Sequence, residues 1–139
     1  MIRRMSHATI FVANQNDALE FYRDKLGFVV HTDAMVGEDF RWLTMCTKDQ
    51  PDFEIVLMEP KAGMLMDEAT ATQLRSLIEK AVLGAGVFNT DDCRATYEEL
   101  KAKGVEFLSE PAERHYGIEA VFKDNSGNWF SLTQPIEGT

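Results

Sequence analysis

The segment HATIFVANQNDALEFYRDKLGFVV, residues 7–30, decides the fold. Its first six residues alternate and are rich in β-formers, which predicts a strand. Asn14 or Asn16 can cap a helix whose first turn carries Asp17, and Gly27 can end that helix in the left-handed conformation. A second strand is predicted to begin directly after the glycine. Apolar residues at helical spacing between cap and glycine are Leu19, Tyr22 and Leu26.

The same order of elements returns in AGVFNTDDCRATYEELKAKGVEFL, residues 85–108. A predicted strand, AGVFN, is followed by a capping aspartate at Asp91, a helix that runs to Lys103, and a helix-ending glycine at Gly104. Gly27 and Gly104 are 77 residues apart, so the repeated unit is a large module and not a short solenoid repeat.

Each unit continues with two further strand candidates. They are FRWLTM (40–45) and FEIVLM (53–58) in the first unit, and IEAVFK (118–123) and NWFSLT (128–133), joined by the turn DNSG, in the second. We therefore predict an α+β protein with two βαβββ modules, residues 5–60 and 84–135, in one domain of residues 1–139.

The connecting segment, residues 61–83, predicts a short amphipathic helix. Its apolar residues at helical spacing are Leu74, Leu77, Ile78 and Ala81. A packed linker helix is the simpler interpretation. The alternative is a lid over a binding cavity, which the flexible side chains of Met64 and Met66 favour.

The composition limits the possible functions. Of the 139 residues, 45% are hydrophobic, which is enough for a packed core. A net charge of −9 repels phosphate backbones and anionic lipids, so we expect neither a nucleic-acid partner nor a membrane role. The stretch MIRRMSHATIFV lacks the long apolar run of a signal peptide or membrane span. We therefore expect a cytoplasmic protein in which Cys46 and Cys93 are free thiols.

A carboxylate interrupts the apolar run FEIVLMEP, residues 53–60. An unpaired buried charge is costly, so Glu54 needs a partner. Strand alternation divides each strand into a helix-packing face and an opposite face, on which we expect an apolar ligand cavity with a few convergent polar groups. The residues predicted to share that cavity are His7, Thr9, Glu54, Trp129 and Ser131.

Together these features resemble the vicinal oxygen chelate superfamily, which includes glyoxalase I, bleomycin-resistance proteins and extradiol dioxygenases. The resemblance covers about residues 5–135 and rests on HATIFV…ALEFYRDKLGF, FEIVLMEP, ATYEELKAKGVEF and YGIEAVFKDNSGNWFSL. It implies that each module curls its mixed sheet around a cavity and that a divalent ion can sit between the two halves. It also implies a homodimer.

The resemblance implies metal ligands from the first and fourth strands of each module. His7 and Glu54 match the ligand positions of the first module. In the second module the histidine position falls on Gly84, or on Ala85 in a shifted register, and the glutamate position falls on Ser131. Two of four ligand positions are therefore retained for a Zn, Ni, Mn or Fe ion.

Three interpretations of His7 and Glu54 are open. They could form a buried hydrogen-bonded pair with a structural role. They could hold a divalent ion, with His31 or His115 as a third donor outside the family positions. In the third interpretation Glu54 orients His7 as an acid/base dyad without a metal.

Further side chains are candidates for ligand contact. Trp129 and Trp42 could stack on a flat ligand, although aromatic residues in strands more often belong to the core. Arg41 could bind an anionic substrate, although a solvated strand position is the simpler interpretation. His115, with Tyr116 beside it, lies in a loop that the resemblance places near the cavity mouth.

The leading functional prediction is a glyoxalase-like lyase or isomerase for a small molecule. A metal would polarise substrate oxygens while a carboxylate moves a proton, with Glu54 and His7 as the catalytic residues. The main alternative is metal-free binding of a small molecule, as in drug-sequestering resistance proteins. An extradiol dioxygenase is a weaker alternative, because such iron sites use two histidines and one carboxylate.

Overall fold

The computed structural model describes residues 1–137. The strands are β1 (His7–Phe11), β2 (Val29–Val36), β3 (Phe40–Cys46), β4 (Glu54–Met58), β5 (Gly84–Asn89), β6 (Glu106–Arg114), β7 (Gly117–Lys123) and β8 (Trp129–Pro135). The helices are α1 (Gln15–Glu20), which continues as a π-helical turn (Phe21–Lys25), α2 (Glu68–Glu79) and α3 (Cys93–Ala102). No helix within the described residues is long and apolar enough to cross a membrane.

The strands form two four-stranded mixed sheets, ordered β1-β4-β3-β2 and β5-β8-β7-β6. In each sheet the first and fourth strands of the module are parallel, and the other neighbours are antiparallel. The prediction of an α+β fold built from two βαβββ modules is confirmed. The parallel pairing of β1 with β4 matters for the site, because it sets His7 directly opposite Glu54.

Capping side chains begin the helix of each module. Of the two predicted candidates, Asn14 caps α1, and its side-chain oxygen accepts from the backbone N–H of Asp17 at 2.9 Å. The prediction for the second module is wrong by one residue. Asp92, not Asp91, caps α3, because the helix begins one position later and the Asp92 carboxylate accepts from the backbone N–H of Ala95 at 3.0 Å. Caps of this kind typically stabilise a helix by about 1 kcal/mol.

The two modules share one hydrophobic core, which lies between the helices and one face of each sheet. The rings of Tyr22 and Phe130 meet edge to face with centroids 6.4 Å apart, and those of Phe28 and Phe88 at 5.5 Å. Burial of one such large apolar side chain contributes about 1.5–3 kcal/mol. Since the core takes one face of each sheet, the opposite face of the first sheet, which carries Glu54, is free for other contacts.

The turn between β7 and β8 ties the second module to the first. Asp124 is buried, and its Oδ1 accepts hydrogen bonds from the backbone N–H groups of residues 126–128, each at 2.9 Å. Its Oδ2 accepts from the Tyr22 hydroxyl at 2.7 Å and from the Asn128 amide at 3.0 Å. Burial raises the pKa of Tyr22, so this hydroxyl remains a donor. Asn128 also donates to the carbonyl of Phe11 at the end of β1.

The linker helix predicted within residues 61–83 is α2, but its apolar face differs from the predicted one. Ala71 and Ile78 are its buried residues, whereas Leu77 is 43% exposed. The helix ends before Ala81, which has a positive φ of 58°. The buried face of α2 is therefore narrower than the spacing of apolar residues predicts. It begins at Ala71, one helical turn before the predicted Leu74.

Both cysteines are free, as predicted, and both are buried. Burial raises the pKa of the Cys46 thiol at the end of β3, and also that of Cys93 at the start of α3. The Cys93 thiol donates to the carbonyl of Leu132 at a distance of 3.4 Å. Both thiols therefore remain protonated at neutral pH.

Candidate functional site

The Glu54 carboxylate is the centre of a polar cluster on the first sheet. Its Oε1 accepts from the Thr44 hydroxyl on the neighbouring strand at 2.7 Å. Its Oε2 lies 2.9 Å from Nε2 of His7, and the Glu54 side chain is only 15% exposed. The partner predicted for this carboxylate in an apolar strand is therefore present.

His7 is oriented from both sides of its ring. Nε2 of His7 faces this carboxylate oxygen, to which an N–H at that position can donate. On the other side of the ring, Nδ1 lies 2.7 Å from the hydroxyl oxygen of Ser6, which can donate to it. These two contacts hold the imidazole plane in place. The ring remains 36% exposed, so it can also contact a ligand.

His31 joins the same cluster through an irregularity in β2. The pairing of β2 with β3 shifts between Val30 and Thr32, so His31 is the extra residue of a β-bulge. A bulge can turn a side chain toward a site. Here Nδ1 of His31 lies 2.9 Å from Oε1 of Glu54 and also 2.9 Å from the hydroxyl oxygen of Thr32. His31 is predicted from the sequence only as a possible third donor, outside the expected positions, because period-two alternation contains no signal for the bulge.

Aromatic side chains extend this face away from the polar cluster. The rings of His7 and Trp42 have centroids 5.9 Å apart, and Phe40 follows Trp42 at 6.5 Å with an interplanar angle of 31°. Both Phe40 and Trp42 are half-buried. Beyond Phe40 lies a cavity of about 310 Å³ whose wall includes Met58, Met64 and Leu65. The segment before α2 thus borders a cavity, as the lid alternative requires.

Arg41 is engaged elsewhere. Its guanidinium binds the Asp33 carboxylate through Nε and Nη2 at 2.8 and 2.9 Å, and its Nη1 donates to Asn16 at 2.6 Å. The hydrogen bonds between the two charged groups raise the pKa of Arg41 and lower that of Asp33. The pair joins β2 to β3, and the bond to Asn16 ties this hairpin to α1, so few guanidinium donors remain for an anionic substrate.

The second sheet carries its own polar cluster. Ser131 lies on the face turned away from the core, as alternation predicts, and its hydroxyl donates to Oε2 of Glu119 at 2.5 Å. The same hydroxyl lies 2.7 Å from that of Thr133. Oε1 of Glu119 accepts from the Tyr116 hydroxyl at 2.5 Å. Glu119 was not among the predicted site residues, although Tyr116 and Ser131 were.

The strand register corrects the predicted histidine position of the second module. Ser131 is paired with Val87, as Glu54 is paired with His7. Val87, and neither Gly84 nor Ala85, therefore holds the histidine position. The reason is a shorter connection: Val87 precedes Gly104 by 17 residues, whereas His7 precedes Gly27 by 20.

Gly84 has a different role, since the indole of Trp129 packs over it. A Cβ atom built on Gly84 would lie 2.5 Å from the Trp129 ring. Of the other predicted cavity residues, Thr9 and His115 are exposed. The ring of His115 contacts Tyr116 with centroids 5.0 Å apart.

The two polar clusters are separate within the described chain. No hydrogen bond, ion pair or ring contact among residues 1–137 joins His7 or Glu54 to Ser131 or Trp129. The cavity at Ser131 is lined by second-module residues. Of the five residues predicted to share a cavity, the structure directly connects only His7 and Glu54.

Among the described residues, the donors of this cluster are not arranged around a common metal position. Catalytic metal sites usually use three protein ligands directed at one position. The described part of the chain contains no group of three or more His, Cys, Asp or Glu side chains arranged to hold a metal. The nitrogens of His7 and His31 are directed at the Glu54 carboxylate itself, so these groups satisfy one another.

Paired βαβββ modules with a histidine and a glutamate on adjacent parallel strands define a glyoxalase-like protein. The chain matches the family model of the Glyoxalase/Bleomycin resistance protein/Dioxygenase superfamily over residues 4–132. It belongs to that superfamily, as the sequence resemblance predicted.

Similar proteins cover almost the whole chain. YurT of Bacillus subtilis (strain 168) is 36% identical over 126 residues, which are 91% of this chain and 94% of YurT. The crystal structure of UcmS2 is 48% identical, has a TM-score of 0.90, and matches over 96% of this chain and 98% of UcmS2. TnmS3, an antibiotic binding protein from Streptomyces sp. CB03234, is 27% identical with a TM-score of 0.74, over 96% of this chain and 97% of TnmS3.

Proposed function

We propose that this protein binds and sequesters a small, flat, partly aromatic molecule, without a metal ion, on the face of the first sheet that carries Glu54. The polar end of the ligand would contact the exposed edges of His7 and His31. Its aromatic part would stack along Trp42 and Phe40. Such a division between a few polar groups and an apolar wall is usual for small-molecule sites.

The observation that carries this proposal is the saturation of Glu54. The Thr44 hydroxyl donates to its carboxylate, and one imidazole nitrogen each of His7 and His31 lies 2.9 Å from a carboxylate oxygen. A group in this state positions its neighbours and does not need a metal to balance its charge. The imidazoles remain partly exposed, at 36% for His7 and 42% for His31, and can offer their edges to a ligand.

Similarity to TnmS3 supports the same proposal. That protein is described as antibiotic binding, and it matches this chain along nearly its whole length. An antibiotic with fused aromatic rings would suit the row of half-buried rings at Trp42 and Phe40, because aromatic pairs add about 0.5–1.5 kcal/mol beyond their area burial. We therefore propose polycyclic aromatic antibiotics as the first ligand class to test.

The two tryptophans allow a direct test by fluorescence. In a Trp129→Phe variant the remaining indole is Trp42, and we expect a panel of polycyclic aromatic antibiotics to include compounds that quench it saturably. In the matched Trp42→Phe variant, Trp129 packs over Gly84 and should be quenched little. Quenching confined to Trp129, or no saturable quenching by any compound, would contradict the proposal.

A glyoxalase-like, metal-dependent lyase or isomerase is the second candidate. The observation that favours it is the presence of His7 and Glu54 on paired strands at both first-module ligand positions, with His31 beside them. For this function the imidazoles would have to turn away from Glu54 toward a common ion. Saturable binding of Zn²⁺ or Ni²⁺ to the wild-type protein, lost in His7→Ala, would favour this candidate over the first.

We also propose that the protein acts as a homodimer in the cytoplasm. Large apolar side chains stand exposed on the edge strand β2, with Met35 at 58% and Val36 at 59%, and a second copy could cover them. The two protonated, buried thiols suit a reducing compartment. Sedimentation equilibrium should give twice the chain mass, and a single species of monomer mass would contradict the dimer.

A further inference from the structure

The second module carries the same pair of polar groups as the first, but on exchanged strands. Glu54 on β4 and Ser131 on β8 hold matching positions, 77 residues apart. Two positions after Glu54, β4 is paired with Thr44 on β3. Two positions after Ser131, β8 is paired with Glu119 on β7. In both modules the hydroxyl donates to the carboxylate across the two strands, at 2.7 Å in the first and 2.5 Å in the second. The second module thus keeps a carboxylate on this face, although Ser131 occupies the expected glutamate position.

The two carboxylates differ in their charge partners. Two imidazoles flank Glu54, whereas Val87 holds the position of His7 in the second module. The ion pairs formed by the described residues do not include Glu119. Hydrogen bonds from Ser131 and Tyr116 lower the pKa of Glu119, with a smaller contribution from the charge of Arg114. Glu119 is therefore a negative charge at neutral pH without a bonded cation.

Glu119 is one of the residues that line an open cavity. Its volume is about 460 Å³, and it opens on the face opposite the core. Apolar groups of Val87, Tyr116 and Pro135 contribute to its wall, and the hydroxyls of Ser131 and Thr133 lie beside the carboxylate. Val87 is exposed, which is unusual for a β-branched apolar residue. The residue paired with it on the neighbouring strand, Ser131, is buried.

We propose that this cavity binds the protonated amine of a small organic ligand, with Glu119 as the counter-ion. The ammonium group would donate to the carboxylate lone pairs that Ser131 and Tyr116 leave free. The hydrocarbon part would contact Val87 and Pro135. A charge-assisted hydrogen bond of this kind is about twice as strong as a neutral one, so an amine should be preferred over a matched alcohol. The site lies on the second sheet, and the inference rests on other residues and contacts than the function proposed for the first.

The test is a titration of ¹⁵N-labelled protein with phenethylamine, followed by amide chemical shifts, with phenylethanol as the neutral counterpart. We expect saturable shifts at Val87, Glu119 and Thr133 with the amine and weaker binding of the alcohol. Glu119→Gln should weaken amine binding about tenfold or more. The matched control is Glu113→Gln, which removes an exposed charge on β6 and should leave amine binding within about twofold.

A second variant tests the same site without altering the hydrogen bonds of Glu119. Val87→Lys places a positive charge at the exposed rim of the cavity and should compete with the amine. The inference fails if amine and alcohol bind equally, or if Glu119→Gln or Val87→Lys binds the amine as tightly as the wild type. An equal loss in Glu113→Gln would also overturn it, because the amine would then be responding to the net charge of −9 and not to a site.

Discussion

Replacement of Asp124 by alanine should lower the free energy of unfolding by about 3–5 kcal/mol, since it removes a buried charge that satisfies several donors. The variant leaves the backbone N–H groups of residues 126–128 without their shared acceptor. It also leaves the Tyr22 hydroxyl and one Asn128 amide bond without their partner. Because this turn connects β7–β8 to β1 and to the first helix, the loss should affect both modules together.

Urea unfolding followed by circular dichroism gives the measurement. Asn125→Ala, at the exposed neighbouring position in the same turn, is the matched control and should change the unfolding midpoint little. Tyr22→Phe should have an intermediate effect, because it removes one of the donors to Asp124 and keeps the ring in the core. An Asp124→Ala midpoint equal to that of Asn125→Ala would contradict the role of the turn.

Glu54→Gln should keep the fold and weaken binding of the antibiotic selected by the fluorescence screen about tenfold or more. Glutamine has almost the same shape, and its carbonyl can still accept from Thr44. Its NH₂ group, however, would meet the donor nitrogen of His7, so the imidazole must turn. The polar edge that the ligand contacts is then no longer in place. Glu98→Gln, an exposed position on α3, is the control for the change of charge.

The same pair of measurements separates a binding role from a purely structural one. We expect His7→Ala to melt near the wild-type temperature and to lose ligand affinity together with Glu54→Gln. If both variants instead melt early while their ligand affinity stays at the wild-type value, the pair is only a satisfied buried acid and base.

The modules were predictable because local signals agree with the fold. Alternation defines the strands, and the segments that end at Gly27 and Gly104 repeat one order of elements. Both glycines adopt a positive φ, at 78° and 90°. The contact between His7 and Glu54 was also predictable, because a carboxylate in an apolar strand requires a partner and the strand predicted to neighbour it carries His7.

The positions that sequence reasoning missed depend on strand register. His31 reaches Glu54 only because of a bulge between Val30 and Thr32, and period-two alternation contains no sign of that extra residue. Gly84 was assigned the histidine position by counting from a glycine, whereas the ladder assigns that position to Val87. In each case a shift of one to three residues changes which side chain faces the site.

Glu119 was missed for a related reason. The motif comparison places an acid on the fourth strand of each module, and in the second module the acid stands on the third strand, β7. Relative to the first module, the carboxylate of Glu119 and the hydroxyl of Ser131 have exchanged strands, which can be recognised only when the cross-strand pairs are known. A search of neighbouring strands for a displaced acid could have found it, because IEAVFK carries its one acidic residue at Glu119.

The most direct test of metal-free binding at the Glu54 face is a titration of the Trp129→Phe protein with the selected antibiotic before and after exhaustive removal of divalent ions by EDTA. Since Thr44, His7 and His31 already satisfy the carboxylate, we expect the same dissociation constant in both samples and no tightening when Zn²⁺ or Ni²⁺ is restored. Quenching of Trp42 that disappears with EDTA and returns with the metal would contradict that claim and would favour the metal-dependent enzyme.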